Sequence, residues 1–563
     1  MRPMKRLLAR SQAREGAGRS VRERSDHVAL RFIPSWGGDV WRRLHTSTLG
    51  RLATLASLFT LSALASLSAC DVNSDPPLRD ASDVREEASL LLPTTTITAT
   101  SELAGIERVR GHLVLDIASG PIRLPLLTVI EGDLILVGTP TRTVSADLVL
   151  ASLVRVGGSV RIAYTAGSAA ILMPKLVLVG THFELTNGSW SLDLPVLTSI
   201  GGDLRIQDAT IASGSLESLE TLGGSLVFDT TAFAEDLDLS GLESVARDLV
   251  VRGGEVRLVA DRLLSIGGDL RIERTAGTLD LAGLRTVAGD ARFESSIIDT
   301  LSIGALRRVG DDLIFEDSSG AGLVALDLAQ LEAVPGQLRV DNLEDLTSFS
   351  AAALPLLGSL AVTRNTSLAF LGLRRLARIE GDFELSHNGE LTLVFDALTA
   401  IAGDFVIDSN RAMNGLLPKL TDVGRDLRFA SQFTPYIGLA ALQVVGGDVL
   451  VEFIFGSVEF DHFQLGALRQ VGGSLTVHMT DSIDKLTFDA LASVGSSVGD
   501  LVVTDNPDIV GLDLVKLTTV AGRVEARNNP RLPEHDLLGE LEDVLTGSSP
   551  VICGNLGGDP CTQ

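Results

Sequence analysis

Cysteine is nearly absent: three in 563 residues. That leaves little for disulfide frameworks or cysteine-rich zinc modules. Aromatic residues make up 4% of the chain, which suits a narrow aliphatic core. Histidines after residue 69 are few and scattered, at His112, His182, His387, His462, His478 and His535. No P-loop, zinc-spaced His/Cys set or nucleophile elbow occurs. Basic side chains are scarce as well. Lys and Arg number 47 against 72 Asp and Glu, a formal net charge of −25. Beyond residue 69 the count is 35 basic against 68 acidic. Nucleic acid and anionic lipid headgroups are poor partners for so acidic a body.

What the chain has is a repeat. The phrase L-x-x-L-x-x-V-x-G-D-L-x-I reads Leu194-Pro-Val-Leu197-Thr-Ser-Ile200-Gly-Gly-Asp203-Leu204-Arg-Ile206 and returns at 281–293, 417–429 and 439–451. The residue before each L-x-I marks the register. Nineteen such positions run from His112 to Arg523, at intervals of 21 to 26 residues and a mean of about 22.8. Self-similarity at this period means a solenoid. The final step of two is strand periodicity, so Leu204 and Ile206 point inward while Arg205 and Gln207 point outward. Gly-Gly-Asp or Gly-Asp punctuates each coil, and these are turn formers. Pieces such as Leu192–Leu194, Leu279–Leu281 and Leu512–Leu514 predict a second short strand. The expected fold is all-β: one solenoid of about 19 coils over 105–530. Coils stacking at roughly 4.8 Å make a body on the order of 90 Å long.

The phrase, with Asn after many strands (Asn342, Asn365, Asn388, Asn410, Asn506, Asn529), resembles the receptor L-domain repeat. The resemblance covers about 105–530 and implies a leucine-rich-repeat-like, right-handed β-helix. That repeat occurs in hormone-receptor ectodomains, fungal cell-wall proteins and bacterial surface lipoproteins. The array is much longer than one receptor L domain and lacks the receptors' cysteine-rich modules. No hormone-binding residue therefore carries over.

The amino-terminal 1–69 reads as a signal region. Leu52–Ala69 is apolar, too short for a comfortable span, and follows Arg42, Arg43 and Arg51. Residues 1–39 are basic and polar, read either as a cytoplasmic extension or, as we expect, an over-extended gene start. Leu67-Ser68-Ala69-Cys70 resembles the lipobox of bacterial lipoproteins, which implies cleavage before Cys70 and its acylation. Residues 70–104, acidic and rich in small side chains, are expected to be a disordered tether. At the other end, 531–563 is expected to cap the last coil. Pro533–Leu545 has helical spacing, and export makes Cys553 and Cys561 a natural disulfide pair.

Four constellations remain. The recurrent Asp is either a calcium ladder or, as its replacement by Ser, His, Gln and Arg favours, a turn residue accepting a backbone N–H. The outward strand position carries Arg205, Arg271, Arg292, Arg339 and Arg428, read either as a docking face or as partners of neighbouring acids. Seven of 24 aromatics fall within 429–463, including Phe453, Phe455, Phe460 and Phe463, which suggests a widened core or a binding patch. Acid pairs for polysaccharide cleavage are too common to count, and no coil exceeds 26 residues to build cleft walls. The expected protein is a non-enzymatic, lipid-anchored component of the bacterial cell envelope, on the periplasmic side or at the cell surface. Its solenoid would be a structural or adhesive surface. The alternatives are a ligand-binding receptor-like protein and a β-helix polysaccharide-active enzyme. No cofactor or metal is expected. The partners are the membrane, through lipid on Cys70, and a protein or glycan.

Overall fold

The computed structural model describes residues 95–97 and 105–561, apart from 117–120, 138–146, 164–167, 432–434, 455–462 and 482. Residues 85–563 form one compact unit. It is a β-solenoid of about 19 turns with a single short α-helix among the described residues.

Each coil has three sides. After each register mark comes a four-residue strand, such as Leu204–Gln207, paired in parallel with its equivalents Phe183–Thr186 and Leu226–Asp229. Its first and third positions are buried and its second and fourth half-exposed, as the period of two requires: Leu204 and Ile206 are buried, Arg205 and Gln207 are not. These strands stack into one long sheet. The second side carries strands such as Ser189–Asp193 and Ala276–Asp280, where the L-D-L pieces lie. The third side is a row of two-residue strands, Arg108–Val109 to Arg308–Val309, which the sequence reading left as corners.

Midway the corner changes. Two coils have Val334-Pro335-Gly336-Gln337 and Leu357-Gly358-Ser359 at the corner. There the strand runs straight through, as Val334–Asp341 and Leu356–Thr363. These two strands fuse the corner row to the long sheet, giving 29 strands in all. At Gly180 the corner glycine allows a close approach. A Cβ on Gly180 would sit 2.0 Å from the carbonyl oxygen of Gly157 in the coil below.

Buried Leu, Val and Ile from all three sides form one continuous core. No coil could bury its own face alone, but neighbours do so for one another. Phe also enters the core, in stacked pairs: Phe293 on Phe315 at 4.8 Å and Phe383 on Phe405 at 4.9 Å between centroids.

Both ends extend past the expected boundaries. Thr95–Ile97, assigned above to the tether, is a strand paired with Leu113–Leu115. The remaining positions of the signal region and tether, Cys70 among them, lie outside the described residues. At the carboxyl end a further rung is laid down within 531–563. Leu545–Thr546 and Val551–Cys553 continue the sheet beyond Arg527. The helix, Glu534–Glu540, is shorter than the expected 533–545 and buries Leu537, while Leu538 is exposed. The Cys553–Cys561 disulfide closes this last rung. Closing so short a loop should stabilise the cap by about 2 kcal/mol. Cys553→Ser is therefore expected to raise amide exchange over 534–561 while leaving the central coils unchanged.

Candidate functional site

The recurring geometry lies in two hydrogen-bond ladders that clamp the coils in opposite directions. The first is the Asp row. Asp203 Oδ1 accepts from Ser225 N at 2.8 Å, and Asp248, Asp269 and Asp290 do the same for Asp269, Asp290 and Asp312. The acceptor serves the next coil rather than its own corner, which refines the turn reading. Ser225 Oγ and the Nδ1 atoms of His112 and His182 accept equivalent N–H groups. That explains why the position tolerates Ser and His: any small acceptor suffices. No group of three or more His, Cys, Asp or Glu is placed to hold a metal ion among the described residues.

The second ladder starts where each four-residue strand ends. The next residue takes a left-handed conformation in coil after coil: Asn187, Asp208, Thr230, Arg274, Phe453, Met479 and others. Position two after the strand is then turned inward. In one run it is hydroxyl-bearing, at Thr275, Ser296 and Ser318. Later it is Asn, at Asn365, Asn388 and Asn410, and again at Asn506, Asn529 and Asn555, all buried. Asn388 Oδ1 accepts from Asn365 N at 3.1 Å and Asn365 Nδ2 at 3.3 Å. Asn388 Nδ2 donates to Val362 O at 2.8 Å and to Asn410 Oδ1 at 3.0 Å. Asn342 belongs elsewhere. It is itself the left-handed residue and bonds Asp317 Oδ1 at the half-exposed corner.

The outward arginines of the long sheet are paired with acids. Arg271 pairs with Asp269. Arg292 lies 2.9 Å from Asp290 and 3.1 Å from Asp312. Arg428 lies 3.1 Å from Glu452. Arg205 reaches Asp203 at 4.0 Å. Arg339 and Arg364 converge on Asp341, whose side chain is fully buried. Arg364 donates to Asp341 Oδ1 and Oδ2 at 2.8 and 2.6 Å, and the Thr363 hydroxyl adds a bond of 2.6 Å. Burial opposes ionisation of Asp341, but Arg364, Thr363 and Arg339 outweigh it and hold its carboxyl below the usual range. Val250, Ile314 and Ala361 point outward yet are buried. Each has a long charged register partner, Arg271, Arg292 or Arg339, whose stem covers it. The face is thus an ionic ladder, and turning Arg205, Arg271 and Arg292 to Glu would set carboxylates against Asp203, Asp269 and Asp290.

The aromatic concentration divides. Phe429 is core. Phe453 is the left-handed corner residue, edge-on to His478 at 6.1 Å. Phe455 and Phe460 lie outside the described residues, and Phe463 begins the strand Phe463–Gln464. On the side of the coil carrying that strand is an open groove of about 610 Å³. Its lining includes Ala440, Gly466, Thr487 and Asp489, with a Lys485–Asp513 ion pair of 2.8 Å.

No family model matches the chain. Among curated proteins it is similar to Sporulation-specific protein 22 of Saccharomyces cerevisiae, 23% identical over 251 residues. The match covers 37% of this chain, and the chain spans about half (52%) of that relative's length.

Proposed function

We propose that this protein is a lipid-anchored component of a bacterial envelope that works by contact along its solenoid. The observation carrying the reading is the order of parts. Leu67-Ser68-Ala69-Cys70 follows an apolar run, and 25 residues later, at Thr95, the first rung of a long uniform solenoid begins. Cys70 takes the acyl chains, and the solenoid presents rows of identical positions to a partner. The inward side chains of the described coils are aliphatic or spent on inter-coil hydrogen bonds, which supports contact over turnover. The open groove at Lys485 and Asp513 favours a second reading, a polar small ligand such as a glycan.

Metabolic labelling with an alkyne fatty acid tests the anchor. The wild type is expected to label and to fractionate with membranes, while Cys70→Ser loses the label and accumulates unprocessed. Equal labelling of both would remove the anchor from the reading.

A further inference from the structure

We infer that the first coils carry a membrane-docking corner which lays the base of the solenoid on an anionic lipid surface; this rests on the anchored reading above. In each coil a buried leucine closes the turn before the corner strand: Leu127, Leu153, Leu176 and Leu197. The residues following it are Thr128, Val154, Val177 and Thr198. They stack directly, each N–H bonding the carbonyl of the equivalent residue below. Those preceding it are Leu126, Ser152, Lys175 and Val196. Leu126 is 51% exposed, Val154 41%, Val177 39% and Val196 39%. Four large aliphatic side chains thus stand in solvent on adjacent coils. The same row turns charged in the next two coils, at Glu220 and Glu243, and after Leu264 at Arg285, Arg307 and Glu332.

Charge singles out the same coils. Residues 105–180 hold seven basic and five acidic side chains, whereas 181–563 hold 26 and 56. No Asp or Glu lies between Asp147 and Glu184. Arg123, Arg155 and Lys175 are exposed beside the aliphatic row, and none is ion-paired to a described residue. The outward arginines of the long sheet, by contrast, are neutralised by neighbours. Aliphatic side chains flanked by free cations match the boundary between acyl chains and anionic headgroups. Position along the chain agrees. The 25 residues from Cys70 to Thr95 span at most about 85 Å fully extended, so a lipid on Cys70 keeps these coils within reach of the bilayer. A single weak anchor gains from such a second signal.

The test uses the full chain mixed with phosphatidylcholine vesicles containing phosphatidylglycerol and a spin-labelled lipid. Fluorophores are placed on Val177→Cys or, for comparison, on Val498→Cys, far along the solenoid and 75% exposed. Quenching at position 177 is expected to exceed that at 498 at least fivefold. Adding Val154→Asp and Lys175→Glu is expected to cut it to the level at 498, with an unchanged thermal melt. Equal quenching at both positions, or quenching at 177 that survives those substitutions, overturns the docking corner. The acyl state of Cys70, read by mass spectrometry on the same sample, separates the two ideas. An acylated chain with no difference between positions loses docking and keeps the anchor. An unacylated chain that still shows the difference loses the anchor and keeps docking.

Discussion

Replacing Asn388 by leucine is expected to destabilise the middle of the solenoid by about 3–5 kcal/mol. The two side chains share the same branching and number of heavy atoms and leucine is the larger, so no cavity explains the loss. The cost is polar: the Asn365 N–H loses its acceptor, Asn365 Nδ2 keeps Val340 O but loses its second acceptor, and Val362 O loses one donor. Asn410 Oδ1 keeps the Asn388 N–H and loses the Nδ2 donor. Each buried group left unpaired costs roughly 1–3 kcal/mol, and the site is too tightly packed to admit water freely. Asn342→Ala is the control. It removes one bond at a half-exposed corner, from Asn342 to Asp317, and puts alanine at a left-handed φ of 52°, so it should cost about 1–2 kcal/mol. Because each coil contacts only its neighbours, unfolding need not be two-state. Residue-resolved hydrogen exchange across 338–430 is the measurement, and equal protection in the two variants would disprove the ladder's role.

The second large effect is at Asp341. Removing its carboxylate in Asp341→Ala leaves Arg339, Arg364 and the Thr363 hydroxyl without their shared acceptor. Truncating one member of a buried pair costs about 3–5 kcal/mol in favourable cases. Here both guanidinium groups are part-exposed and regain water, so roughly 2–3 kcal/mol is expected. The pH dependence has a definite sign. The folded pKa of Asp341 lies below its unfolded value, so the stabilisation is complete above about pH 4–5 and fades as pH falls through the folded pKa. Urea melts of wild type and variant should therefore differ most near neutrality and converge in acid. A gap that widens on acidification would show that Asp341 is not held ionised.

The long sheet was legible because its signal is covalent in kind: two inward side chains one residue apart, then a glycine corner, repeated in register. The corner row was not. Two residues per coil, as in Ser199–Ile200, give no alternation to read. The Asn signature was visible, but its meaning was not. The left-handed residue before it can be Arg, His, Ser, Asp, Asn or Gly, so composition does not mark the turn, and Asn342 was grouped with Asn365 although it sits one position earlier. Thr275, Ser296 and Ser318 serve the same inward position through hydroxyls. Counting two residues on from each strand, regardless of residue type, would have found them. The arginine row was seen, yet whether it faced a partner or its own acids depended on register between coils, which only the pairing of Arg292 with Asp290 and Asp312 reveals. The extra rung at Val551–Cys553 hid because Pro550 stands where the first inward apolar residue of the phrase belongs, opposite Val524.

Binding of the purified mature chain to intact cells that lack it tests contact against turnover most directly. The account predicts saturable binding, competed by unlabelled chain, unaltered by Asp489→Asn and accompanied by no soluble saccharide. Failure to saturate, or release of saccharide that a single carboxylate substitution abolishes, would contradict it.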